Sequence, residues 1–174
     1  MTRPLVPQIP RQDDEWTMLT AFLDHYRAAL LDRAWGLDEE QLATPLAPSP
    51  LTIGGLIGHM TFVEYVWYRV RFAGLDMPEP FGSLDWDENP DAEMALAASW
   101  PADQLLGAFD VAVRDSRQRV KNAASLDDLS AKNSNSDREK WNLRWIMIHM
   151  IEEYARHCGH ADLIRESIDG DICQ

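Results

Sequence analysis

Positive charge is scarce in this chain. Lys and Arg total 16 against 29 Asp and Glu, a formal net charge of -13. A surface that acidic repels a phosphate backbone and an anionic membrane, which excludes both as partners. Cysteine is scarcer still. Cys158 and Cys173 are the only two, too few for a disulfide framework and in keeping with reduced thiols in a cytoplasmic protein. Long apolar runs are missing, and no basic segment leads into an apolar one at the N-terminus, so neither a membrane span nor a secretory leader is expected. Strand-like alternation and internal repeats are missing too. What remains is 45% hydrophobic residues over 174 positions, enough for one domain spanning 1–174 with a sizeable core.

Helical patterning fills most of that length. Residues 1–12, with Pro4, Pro7 and Pro10, read as an extended arm without structure of its own. Asp13 or Asp14 caps a first helix, whose apolar positions Trp16, Leu19, Leu23, Tyr26 and Leu30 step by three and four, ending near Gly36. A short helical turn over Asp38–Leu42 precedes a stiff connector holding Pro45, Pro48 and Pro50. Thr52 caps a second helix running to about Ala73, with Ile53, Leu56, Met60, Val63, Trp67 and Val70 inward and His59 at the edge of that stripe. Residues 75–101 form a long crossover with a helical piece over Asp91–Ser99. A third helix from Ala102 to Ala124 buries Leu105, Phe109, Ala112, Val113 and Val120. The polar run SAKNSNSDREKW reads as an exposed loop, and residues 171–174 as a loose tail. The fold expected is therefore all-α, a four-helix bundle with long crossover loops.

The last helix, Asn142–Gly170, carries three of the five histidines. At about 100° per residue, His149, Glu153, His157 and His160 fall within roughly 80° of arc. Ile146, Met150, Ala161 and Ile164 share or border that face, which turns it toward the core. Inward titratable groups are costly unless paired, and a metal ion pairs with neutral imidazoles and a carboxylate at once. Glu153 and His157, one turn apart, supply two ligands from one side. A third must come from another helix, and His59 is the best candidate.

Two stretches, LTIGGLIGHMTFVEYVWYR and LRWIMIHMIEEYARHCGHADLIRE, give the chain a resemblance to the DinB / YfiT-like metalloenzyme superfamily. The first carries a Gly-His pair; the second carries two ligands one turn apart, followed by a Gly and a polar residue. Matched position by position, the resemblance implies a metal triad of His59, Glu153 and His157. Most of that family is similar to a three-histidine pattern, from which Glu153 departs. The carboxylate resembles the mycothiol-dependent maleylpyruvate isomerase branch, and the wording around HMIEEYARHCGHADLIRE is similar to actinobacterial mycothiol transferases. A DinB-like bundle, mycothiol as cosubstrate, a role in detoxification and a homodimer are what this likeness implies.

A site of two histidines and one carboxylate takes Zn2+ by default and also admits Ni2+, Mn2+ or Fe2+. A thiol in its open position becomes a thiolate nucleophile, whereas water there makes a hydrolase. The resemblance favours the thiol, hence a transferase acting on an electrophilic small molecule. A third reading is a non-catalytic stress-related protein whose ion only braces the helices. His149 and His160 are expected beside the ligands as supporting or packing residues. Trp141, with Trp86 and Trp100, is a candidate wall for an apolar substrate, and Arg144 and Arg69 are candidate contacts for an anionic thiol. His25 is expected on the polar surface, and Cys158, about 100° from His157, as an inert buried thiol.

Overall fold

The computed structural model describes residues 3–85, 87–89, 91–133 and 138–172. Trp86 and Cys173 lie outside them, as does part of the polar loop.

Among the described residues the regular structure is helical, with one isolated bridge between Leu129 and Asn142. Asp14 accepts a hydrogen bond from the Thr17 amide and starts α1, Glu15–Ala34. Asp38 and Gln41 close a reciprocal capping box on α2, Glu39–Leu42. Thr52 caps α3, Ile53–Glu64, through the Gly55 amide. Helix α4 spans Ala92–Ala98 inside the crossover, and α5 spans Ala102–Asn122. Asn142 caps α6, Leu143–Asp169, through the Trp145 amide, and Gly170 ends it in the left-handed region at φ 80°. Helix α1 packs along α6, while α3 meets α4 and α5 on one side and α6 on another. One cluster of buried side chains, from Leu23 and Leu30 through Leu56, Met60 and Phe109 to Ile146, joins the long helices.

Three expectations change in the structure. The second helix does reach Phe72, but from Tyr65 onward it is a π-helix, Tyr65–Phe72. Bonding from i to i+5 turns each residue less far round the axis than an α-helix does, so the inward stripe slips. Glu64, Tyr65 and Tyr68 are buried, while Trp67 and Val70, expected inward, are only half-buried. The polar loop is not wholly exposed either. Ser130 is fully buried, because its amide donates to Trp141 O and its hydroxyl accepts from the Trp141 amide at 3.1 Å. His25 is half-buried rather than a surface group, with Nδ1 2.9 Å from the Pro7 carbonyl, so it ties the extended arm to α1. Arg3 adds a second tie, bonding Asp32 through two nitrogens at 2.6 and 2.9 Å.

A charged network crosses the core at the start of the π segment. Arg27 grips Glu64 through two nitrogens at 2.8 and 3.0 Å, and Tyr154 donates to the same carboxylate at 2.6 Å. Burial alone would depress the Arg27 pKa, but the Glu64 charge prevails and holds it well above the ordinary value. Burial drives Tyr154 upward, so it stays a neutral donor. Helices α1, α3 and α6 are thus pinned together at one carboxylate.

Candidate metal centre

Helix α6 sets out Trp145, His149, Glu153 and His157 at four-residue steps, a single row along its axis. His59 of α3 reaches that row from the other side. One ligand atom from each of His59, Glu153 and His157 lies within 4.8 Å of the others, with His157 buried and the other two half-buried. His157 Nε2 stands 3.4 Å from Glu153 Oε2, and the His59 and His157 rings meet edge to face at 4.8 Å. Tetrahedral ligands at about 2.1 Å from an ion stand about 3.4 Å apart, the separation already present between His157 and Glu153.

The chemistry of the donors agrees with this geometry. Burial, with His59 close by, pushes His157 down to about 4, so its ring is neutral and keeps a lone pair at neutral pH. The ring nitrogen that faces Glu153 is Nε2, at 3.4 Å, while Nδ1 is buried without a hydrogen-bond partner among the described residues. The donor set of two imidazoles and one carboxylate fits a divalent ion.

The neighbouring histidines divide. His149 Nε2 lies 3.8 Å from the second Glu153 oxygen, and its ring stacks on Trp145 at 4.9 Å and meets Trp67 edge-on at 4.7 Å. His160 packs against His157 at 5.5 Å between ring centres, its Nδ1 buried and unpartnered. Trp141 joins the aromatic row through Trp67 at 5.2 Å, with Arg71 over its face. Trp145, 44% exposed, forms the outer end of that row. Trp100 belongs elsewhere, packed on Phe81. Arg144 is engaged by Glu15 and Asp127, and Arg69 by Asp115 and the Asp76 carbonyl, so both guanidiniums already have anionic or carbonyl partners. Glu152 pairs with Arg156 at 2.7 Å on the solvated face. Cys158 is buried, and burial pushes its thiol up to about 12.

Two participants are absent from the sequence reading. Trp145 shares the four-residue spacing of His149, Glu153 and His157, a signal available in the sequence. Glu93, whose Oε1 lies 2.8 Å from His59 Nδ1, comes from the crossover and has no such signal. A separate groove of about 780 Å³, walled by Leu31, Trp35, Leu37, Leu42 and Leu106, shares no residue with the triad.

Among the described residues, no helix is long and apolar enough to cross a membrane. No curated protein matches the chain. The mycothiol-S-transferase family model matches residues 18–170, taking in all the helices except the first turn of α1 and reaching every member of the triad. A match over that share of the sequence makes the chain a member of the mycothiol-S-transferase family, a DinB-like branch.

Proposed function

We propose that this protein is a metal-dependent S-transferase that joins a low-molecular-weight thiol, mycothiol, to an electrophilic small molecule. One observation carries the reading: side chains from residues 59, 153 and 157 converge within 4.8 Å in a chain of this family. His59, Glu153 and His157 would hold the ion, zinc by default, within a DinB-like four-helix bundle forming one cytoplasmic domain. When bound, the ion supplies a positive charge that lowers the pKa of a thiol toward neutrality. The protein's share is orientation. Glu153 lies between His149 and Arg156, each within 4 Å, which limits its swing. The row Trp145, Trp67 and Trp141 offers aromatic surface beside the triad for an apolar electrophile. Cys158 is no nucleophile here, because a thiol raised to about 12 is almost entirely protonated at neutral pH.

The direct test is conjugation of monobromobimane or chlorodinitrobenzene with mycothiol, with and without chelator. Thiol-dependent turnover that chelation removes and the ion restores is the expected result. Turnover that follows the metal but ignores the thiol would move the protein to the hydrolases. Glu153→Ala and His157→Ala should each reduce the ion content of purified protein to background in elemental analysis. His25→Ala, which removes the arm contact and an edge-on contact with Tyr26, should leave it unchanged.

A further inference from the structure

We infer that Glu93 is a positioning residue for His59, holding its ring so that Nε2 alone is presented to the ion; this rests on the metal reading above. Glu93 is 4% exposed, and its carboxylate has one hydrogen-bonding partner, the His59 ring, at 2.8 Å through Nδ1. Its other oxygen, Oε2, is buried and unpartnered. A carboxylate kept from water needs compensation, and here the His59 N–H is what provides it. Donation from Nδ1 fixes the tautomer, leaves the lone pair on Nε2, and makes that nitrogen a better electron donor.

The placement of Glu93 depends on Gly58. Helix α4 crosses α3 so closely that a Cβ on Gly58 would lie 2.0 Å from the Ala97 Cβ, with the Glu93 carbonyl 3.4 Å away. The Gly-His pair therefore works as a unit: Gly58 admits α4, and α4 delivers Glu93, one turn before Ala97, to the His59 ring. Glu93 is not itself one of the converging ligand atoms.

The test uses the full chain in two states. In the metal-free protein, nitrogen NMR of the histidine rings should show His59 with its proton on Nδ1. Glu93→Ala should shift that ring toward the Nε2–H form, and Glu93→Gln, which still offers an acceptor of the same size, should retain Nδ1–H. In cobalt titrations followed by visible absorption, Glu93→Ala should weaken binding by about 10- to 100-fold and change the ligand-field bands. Glu93→Gln, without the charge, should weaken it less. A wild-type His59 protonated on Nε2, or Glu93→Ala binding cobalt with wild-type affinity, overturns the inference. If Glu93→Ala does not fold, wild-type affinity and bands in Glu93→Gln overturn the charge contribution, and the wild-type tautomer decides the acceptor role. A wild-type chain that binds no cobalt refutes the metal reading instead, and the tautomer still decides whether Glu93 orients the ring.

Discussion

Arg27 and Glu64 are both shut away from water and are paired with each other at 2.8 Å. Removing one partner strands the other. Glu64→Ala should lower the unfolding free energy by about 3–5 kcal/mol in urea titration. Tyr154→Phe, which deletes one donor and keeps the ion pair, should cost less, about 1.5–3 kcal/mol. The thiol of Cys158 follows opposite logic, since burial outweighs the nearby Arg33 charge and its pKa rises to about 12. It should resist iodoacetamide at pH 8 in the native protein and react once denaturant is added. Cys158→Ala should leave thiol transfer intact.

At the scale of whole elements, α4 lies close against α3 at Gly58. Gly58→Ala places one methyl on another at 2.0 Å, and both belong to stiff backbone, so α4 must move. A loss of about 1–3 kcal/mol in urea titration is expected, with weaker cobalt binding as Glu93 withdraws from His59. Much of the helical layout was legible beforehand, because Asp14, Thr52 and Asn142 are short polar side chains placed just before periodic apolar runs. The Glu153–His157 pair was legible for a related reason: neighbours on one helix are fixed by its 3.6-residue period. The π-helical continuation was not, since YVWYRVRF fits either winding and only the surrounding packing selects i to i+5. Nor were Arg27 and Glu64. Each reads alone as a surface charge, and 37 residues separate them. Glu93 escaped in the same way, its meaning set by a helix crossing rather than by a spacing.

The whole molecule is strongly acidic, and its extended arm is fastened through a cation. Arg3 bonds Asp32 and lies over Trp35, with its guanidinium carbon 5.3 Å from the ring centre. The hydrogen bond from Arg3 holds the Asp32 carboxyl below its ordinary 3.8, so the folded chain favours the ionised form. This stabilisation is complete above about pH 3.8 and disappears as acidification protonates the folded carboxyl. Arg3→Ala should therefore lose about 1 kcal/mol or less at pH 7, because Arg3 is half exposed, and lose nothing further on acidification from this pair. Urea titrations of both proteins at pH 7 and pH 3 check the difference.

The triad also has a topological side. His59 and Glu153 are separated by more than half of the chain, yet their side chains meet. An ion shared between them would clasp a very large ring that encloses the crossover, α4, α5 and the polar loop. Because the site exists only when the chain is folded, an ion bound there would stabilise the compact form by mass action, more strongly as its concentration rises. Capture of an ion would then be coupled to seating the last helix, and the centre would serve as a lock on the tertiary structure as well as a place for chemistry.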